Sequence, residues 1–241
     1  LTHAYILIEN NVIKEIGSEE PPKADWHIDM SNKVVLPGFV NTHHHLYQSL
    51  FRNVPAVSSA KLFDWLVYLY ELWKNIDNEA IYVSAAIGIY EMMHTGTTTT
   101  TDMLYLHPKG TAKFIDSEIE AAKRCGIRFH PTRGSMSLSK KDGGLPPDSV
   151  VQTEEEILED SIRVIEKYHD PRKYAMVRIA LAPCSPFSVT EQSMIKTLEL
   201  AEKYDVLLHT HLAETKDEEE YCLEKVGLRP VDYMEKIGWL N

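Results

Sequence analysis

Through most of the chain, short apolar runs alternate with segments long enough to form helices, and this alternation restricts the possible folds. The apolar runs, which we interpret as β-strands, cover Val34–Thr42, Thr97–Leu104, Ile127–Thr132, Met176–Pro183 and Val206–His211. Parallel neighbouring strands need a crossover connection, which is usually a helix. The pattern therefore predicts an α/β fold with five βα units, either in an open doubly wound sheet or in a (β/α)8 barrel of the TIM type.

The segments between the apolar runs carry helix start and stop signals. Thr153 and Glu156 form a capping box that predicts a helix to about Tyr168. Further caps are predicted at Asp77, before a helix that ends near His94–Gly96, at Thr190, before a helix to Tyr204, and at Gly126, after Cys125. The phosphate-binding pattern G-x-G-x-x-G is absent from the sequence, which weakens the dinucleotide-binding version of the fold.

Two further segments do not fit the βα repeat. Residues 4–16 alternate apolar and polar side chains around Asn10-Asn11, which predicts a β-hairpin. Residues 134–151 are rich in glycine and proline and predict a long loop after the third strand, where barrel enzymes place substrate-facing loops.

The charge balance and the cysteines exclude several classes of partner and site. The chain has 25 Lys and Arg against 36 Asp and Glu, a net charge of −11, so a nucleic-acid partner is not expected. The apolar runs are too short to span a membrane, and no membrane partner is expected. Cys125, Cys184 and Cys222 are an odd number without C-x-x-C spacing, which predicts free thiols and a cytoplasmic location.

Histidines follow the first of the five predicted strands. Side chains alternate along a strand, so His43 and His45 point to one side and His44 to the other. Zinc accepts neutral imidazole nitrogens, and two ligands on one rigid strand lower the ordering cost of a site. The alternatives are a coincidental run of solvated histidines or a tag remnant, and an internal position directly after a strand disfavours a tag. We predict that His43 and His45 bind one metal ion.

The fifth predicted strand ends with a similar pattern. By alternation, either His209 or His211 could point inward, and we choose His211 because it lies nearer the strand end and so the barrel mouth. Glu214 follows three residues later, where it could take a proton from water and pass it to a leaving group. A lone glutamate is more often a surface charge, but the spacing from His211 favours a catalytic role.

The motifs PGFVNTHHHLYQ, GGLPPDSVV, LAPCSPFSV and HTHLAET together resemble the amidohydrolase superfamily. The resemblance covers nearly the whole chain. More narrowly, the motifs resemble the cytosine/guanine-deaminase-like branch, which includes 8-oxoguanine deaminase, isoxanthopterin deaminase and hydroxyatrazine-type aminohydrolases. It implies a (β/α)8 barrel with a small β-sandwich built from both chain ends. Residues 1–36 would be part of that sandwich, and residues 37–241 would form the first five βα units of the barrel.

The resemblance also implies the chemistry. The family's metal ligands match His43, His45 and His211, and its proton shuttle matches Glu214. We expect a metal-dependent aminohydrolase that removes an amino group from an N-heterocycle of the 8-oxoguanine, guanine, pterin or hydroxytriazine type and releases ammonia. One divalent metal ion is expected and not two, because the fourth strand ends without a lysine whose carbamate could bridge two ions. Zinc is favoured, and iron is the alternative.

The substrate contacts implied by the resemblance are Gln48, Trp65 and Cys184. Each has a plain alternative: Gln48 as a solvated side chain, Trp65 as part of the core, and Cys184 as a buried thiol. Relatives often carry histidines after the second strand, where this chain has Asp102-Met103-Leu104-Tyr105, so the resemblance does not settle the substrate.

The family's sixth-strand histidine and eighth-strand aspartate have no counterpart in this sequence, and five βα units cannot close a barrel of eight strands. We therefore expect a fragment of a longer chain, an expectation that the start at Leu1-Thr2-His3 without Met also favours. A homo-oligomer is expected. The alternatives are a hydrolase with another leaving group or substrate, such as a triazine chlorohydrolase or an adenosine-type deaminase, or a non-catalytic scaffold.

Overall fold

The computed structural model describes residues 3–240 and contains two separate β-sheets. Residues up to Pro37, together with Arg172–Tyr174, make up one structural unit, and the remainder of the chain makes up the other. The assignment of residues 1–36 to a composite β-sandwich stays a prediction. Leu1, Thr2 and Asn241 lie outside the described residues. The expectation of a longer chain that was based on the start at Leu1-Thr2-His3 falls on the first two of them.

The smaller sheet is the hairpin that the alternation around Asn10-Asn11 predicts. Strand β1 (Tyr5–Glu9) pairs antiparallel with β2 (Val12–Gly17). Asn10 has a φ of 57°, in the left-handed region that asparagine tolerates better than most residues. The turn chemistry therefore explains why the chain reverses at this point.

The larger sheet has five parallel strands in the order of the sequence. They are β3 (Phe39–Asn41), β4 (Thr97–Leu104), β5 (Arg128–Ser135), β6 (Ala180–Pro183) and β7 (Leu207–Leu208). Strands that add one after another in this way form a curled half-barrel and not an open doubly wound sheet, in which the order reverses at one point. The structure thus confirms the barrel alternative.

Seven α-helices accompany the larger sheet among the described residues. They are α1 (Leu62–Trp73), α2 (Asn78–His94), α3 (Phe114–Cys125), α4 (Glu154–Tyr168), α5 (Glu191–Tyr204), α6 (Lys216–Val226) and α7 (Pro230–Lys236). The predicted caps are confirmed: Asp77 and Thr190 accept backbone N–H groups at the starts of α2 and α5, and Thr153 forms the capping box of α4. Gly126 closes α3 in a left-handed conformation.

Several predicted boundaries were wrong. The runs predicted over 34–42 and 206–211 contain strands of only three and two residues. Val34 and Leu36 are exposed, and Pro37 lacks the N–H group that a sheet ladder needs. The run predicted over 176–183 is paired continuously only from Ala180, with an isolated bridge between Phe129 and Val177. The loop predicted from residue 134 begins after Ser135 and contains two 3-10 turns, Lys140–Asp142 and Asp148–Val150.

A hydrophobic core between the sheet and its helices supports the carboxyl ends of the first strands. Trp73 is completely buried, and its ring packs edge-on against Tyr47, with ring centres 5.2 Å apart. Tyr47 in turn contacts Tyr105, which follows β4. Within residues 3–240, no helix is long and apolar enough to cross a membrane. The cysteines are free thiols, as predicted.

Candidate metal centre and active site

Histidines from both edge strands of the larger sheet meet at its carboxyl end. The first strand, β3, is followed by His43 and His45, and the last strand, β7, is followed by His209 and His211. His43 Nδ1 lies 2.9 Å from His209 Nε2, although 166 positions separate the two residues in sequence. The curl of the sheet brings these edges together, because in a flat five-stranded sheet they would lie four strand spacings of about 4.8 Å apart.

Three imidazole nitrogens converge within this cluster. His45 Nε2 lies 3.2 Å from His43 Nε2 and 3.1 Å from His211 Nε2. Ligand atoms of these three residues all lie within 4.8 Å of one another. His44 is not part of the cluster, since its Nδ1 faces Asp102 at 3.9 Å. The arrangement agrees with the alternation along the strand that the sequence analysis used.

Backbone carbonyls fix the orientation of two of the three rings. His45 Nδ1 donates to the carbonyl oxygen of Met103 at 2.8 Å, and His211 Nδ1 donates to that of Cys184 at 2.8 Å. A carbonyl oxygen can only accept, so each Nδ1 carries the proton and each Nε2 presents a lone pair. Metal-binding histidines commonly have such an outer partner on the other ring nitrogen.

The donor set fits a metal cation. Two lone pairs that face each other at 3.1 Å, with no proton between them, repel unless a positive charge lies in their midst. A further proton is disfavoured, because burial lowers the pKa of His45 to about 3 and that of His211 to about 4. Three neutral imidazoles in this arrangement match the nitrogen ligands of a zinc site that keeps an open position.

Glu214 lies on the loop between β7 and α6, where a second carboxylate holds the backbone. Ala213 N and Glu214 N donate to the two carboxylate oxygens of Glu218, at 3.0 and 2.6 Å. Glu218 is completely buried, whereas Glu214 is accessible to solvent. Ala213 has a φ of 55°, a conformation that is costly for alanine and that this double hydrogen bond stabilises. Partial burial and the nearby Glu218 charge raise the pKa of Glu214.

The three predicted substrate contacts lie at different distances from the histidines. Cys184 is buried, and its Sγ lies 3.7 Å from His211 Nδ1. Gln48 is half-buried in the 3-10 turn after His45 and donates to the Tyr47 hydroxyl at 3.3 Å. Trp65 is half-buried on α1 and packs against Trp73, with ring centres 5.3 Å apart. Cys184 is therefore beside the histidine cluster, Gln48 is near it in sequence, and Trp65 packs against the core.

Sequence reasoning missed three contributions to this site. His209 was treated as an alternative to His211, yet it contacts His43. Tyr105 packs edge-on against His45, with ring centres 5.2 Å apart. Glu218 could have been found from its position in the first turn of a helix that Thr215 caps, four residues after Glu214. For Tyr105 the sequence carries no signal beyond its place after a strand.

Comparison with known proteins finds similarity to several deaminases and hydrolases. It is 45% identical to 8-oxoguanine deaminase of Pseudomonas aeruginosa, over 98% of this chain and 53% of that protein. It is 32% identical to hydroxydechloroatrazine ethylaminohydrolase of a Pseudomonas species, over 85% of this chain and 43% of that protein. The chain thus spans about half the length of the curated relatives it matches.

Solved structures give the same placement. The zinc complex of atrazine chlorohydrolase from Arthrobacter aurescens is 30% identical, with a TM-score of 0.84 over 97% of this chain and 53% of that one. The sequence profile of the amidohydrolase family matches residues 34–241, which include every histidine of the cluster and Glu214. The chain belongs to the amidohydrolase family.

Proposed function

We propose that the protein is a metal-dependent aminohydrolase that deaminates a flat N-heterocycle of the 8-oxoguanine, guanine, pterin or hydroxytriazine type. His43, His45 and His211 would hold one divalent metal, with zinc favoured over iron, and Glu214 would move the proton. The proposal rests on the convergence of three imidazole Nε2 atoms at the strand ends, with the accessible Glu214 three residues after His211.

The residues of the chain have separable tasks in this reaction. When bound, the metal acts as a Lewis acid that makes water nucleophilic near neutral pH. His45 and His211 keep their Nε2 atoms available because backbone carbonyls hold the Nδ1 protons. The Glu214 carboxylate takes a proton from the attacking water and gives it to the ring nitrogen next to the carbon under attack. The second proton of the water then passes to the amino group, and the C–N bond breaks to release ammonia as the ring carbonyl forms. The raised pKa of Glu214 lies closer to neutral pH than that of an ordinary glutamate, which favours both taking up the proton and releasing it.

The proposed substrate contacts lie outside the cavity that Glu214 borders. This cavity, of about 550 Å³, is lined by residues 213–216, 219 and 229–232, and no histidine of the cluster lines it. Gln48 and Cys184 remain our candidates for hydrogen bonds to the substrate, and Trp65 for stacking. Burial raises the pKa of Cys184 to about 12, so this residue would act as a neutral S–H group.

A screen for ammonia release tests the substrate class. The protein in its full natural length would be loaded with zinc and offered 8-oxoguanine, isoxanthopterin, guanine, cytosine and hydroxyatrazine. We expect 8-oxoguanine to give the highest kcat/KM, because the 45% identical relative is named for this activity. Release of ammonia from none of these compounds would contradict the proposed reaction.

A hydrolase with a different leaving group is the second candidate. The fold match to atrazine chlorohydrolase favours it, since the same site geometry can direct water to a ring carbon that bears chlorine. Measuring chloride release from atrazine in the same assay separates the two reactions. A protein that binds no stoichiometric metal would instead favour a non-catalytic scaffold.

Homo-oligomer formation and a cytoplasmic location also remain predictions.

Glu218 offers a test of how the Glu214 loop is held. Glu218→Ala leaves the N–H groups of Ala213 and Glu214 without their acceptors and frees the strained turn at Ala213. Because a displacement of about 1 Å at a reacting group can cost on the order of 10²-fold, we expect a fall in kcat of that size, with a smaller change in KM. Steady-state kinetics would measure it. Glu220→Ala, at an exposed position two residues along α6, is the matched control, and equal losses in both variants would refute the specific role of Glu218.

A further inference from the structure

Two carboxyl groups outside the histidine cluster are buried against each other. Asp102 on β4 and Glu118 on α3 are both completely inaccessible, and their carboxyl groups lie against each other, within reach of a shared proton. Asp102 Oδ2 and both Glu118 oxygens have no other donor among the described residues. The neighbours of Glu118 on its helix include Phe114, Ile115 and Ile119, all of them buried. Neither carboxyl group takes part in the proposed reaction.

Such a pair must keep a proton. Two carboxylates in contact cannot both be charged in apolar surroundings, since each would lack solvation and would repel the other. The positions of the donors show where the proton belongs. Asp102 Oδ1 accepts the N–H of Leu46 at 2.6 Å, so Asp102 is stabilised as the anion. Glu118 accepts from no other group, so it acts as the donor of the O–H···O bond. Burial raises the pKa of Glu118 well above its ordinary value, and the neighbouring Asp102 charge raises it further.

We propose that Glu118 stays protonated and that its hydrogen bond to Asp102 positions the His44–Leu46 segment, which carries the proposed metal ligand His45. The inference rests on the proposed function insofar as His45 is a ligand. In this reading Glu118 and Asp102 are positioning residues, because neither touches the reacting atoms.

The hydrogen bonds around Asp102 show how the pair would act on the ligand. Leu46 N donates to Asp102, Met103 N donates to the carbonyl of His44 at 2.8 Å, and His45 Nδ1 donates to the carbonyl of Met103. Three consecutive residues of the ligand segment are thus bound to two consecutive residues of β4. Glu118, on the neighbouring helix α3, holds the Asp102 side chain in place. Through these hydrogen bonds it also determines the position of the His45 ring.

The shared proton also makes folding sensitive to pH. The unfolded chain loses both carboxyl protons near pH 4, whereas the folded chain retains one of them above that pH. The contribution of this pair to stability is therefore fully present below about pH 4 and is lost as pH rises, by up to about tenfold in the unfolding equilibrium constant per pH unit. His44, which faces Asp102 at 3.9 Å, and Arg52 and Glu91, which act on His44, are the other ionisable groups on this side of the pair.

Two variants of the full-length protein test the proposal. Glu118→Gln keeps a neutral hydrogen-bond donor of the same shape, and Glu120→Gln, at an exposed position on the same helix, is the control. We expect Glu118→Gln to remove the infrared C=O band of a protonated carboxyl group at neutral pH and to flatten the pH dependence of unfolding. Zinc affinity, measured by competition with a chelator, should stay as in the wild type.

The double variant Asp102→Val/Glu118→Leu removes both groups without leaving a buried charge, a change that is often neutral or stabilising for a fold. We expect a folded protein whose zinc affinity falls by about 10–100-fold, the usual effect of losing an outer partner of a ligand. Unchanged affinity in this variant would overturn the positioning role, and an unchanged infrared band in Glu118→Gln would overturn the shared proton. A wild-type protein that binds no zinc would contradict the proposed function, while the infrared and pH results would still decide the protonation of Glu118.

Discussion

Glu214→Gln is expected to lower kcat by about 10²–10⁴-fold, the range that general acid–base catalysis typically contributes. Glutamine keeps the size and polarity of the side chain but can no longer accept the proton that the attacking water must lose. The backbone N–H bonds from Ala213 and Glu214 to Glu218 do not involve the altered group and should persist. Steady-state kinetics on the best substrate of the ammonia screen would measure the loss.

The metal content separates this explanation from a damaged site. Zinc should remain stoichiometric in Glu214→Gln, because the three histidines that converge on one another are unchanged. Glu220→Gln, at an exposed position six residues further along the chain, is the matched control and should keep wild-type turnover. Normal turnover in Glu214→Gln would refute the shuttle role, and loss of zinc in that variant would show that Glu214 acts through the metal site.

His45→Ala is expected to abolish stoichiometric metal binding, and with it the activity. His45 is the central member of the cluster, since its Nε2 lies within 3.2 Å of the Nε2 atoms of both His43 and His211. Its removal leaves two ligands, so the affinity should fall by more than the roughly 10–100-fold that is typical of losing only an outer partner. Elemental analysis after dialysis and competition with a chelator would measure the change.

A histidine outside the cluster provides the control for this experiment. His94 lies exposed at the end of α2 and packs against Tyr90, so His94→Ala removes one imidazole without touching the cluster. It should bind zinc as the wild type does. If His45→Ala retained stoichiometric zinc after dialysis, the assignment of His45 as a ligand would be wrong.

Local sequence signals predicted a large part of the fold. The capping box at Thr153 and the left-handed stop at Gly126 depend on neighbouring residues only, and the structure confirms both. The strand over Thr97–Leu104 was predicted with its observed bounds, and it begins with five consecutive β-branched threonines, Thr97–Thr101. The pairing of His43 with His45 followed in the same way from the alternation of side chains along a strand.

Features that depend on distant residues could not be predicted in this way. The run over 206–211 looks like a strand, yet only Leu207 and Leu208 pair as one. After Leu208 the chain stays beside β6 through isolated backbone hydrogen bonds. His209 N donates to the carbonyl of Leu181, and His211 N donates to that of Cys184. The contact between Asp102 and Glu118 joins a strand to the following helix, and no spacing rule connects them. The position of Glu218 in the first turn of α6 was a usable signal, but the sequence does not show which backbone N–H groups its carboxylate accepts.

The meeting of both sheet edges at one cluster has a thermodynamic consequence. His45 and His211 are 166 positions apart, so an ion bound between them closes a very long loop of the chain. In chain-entropy terms, a cross-link around a loop of about 100 residues is worth about 4.7 kcal/mol, and the value grows only slowly with length. A bound metal ion would then act as a reversible cross-link of the fold as well as taking part in the reaction. Heat resistance should rise with the concentration of free zinc, and a chelator should loosen the half-barrel at its carboxyl end first.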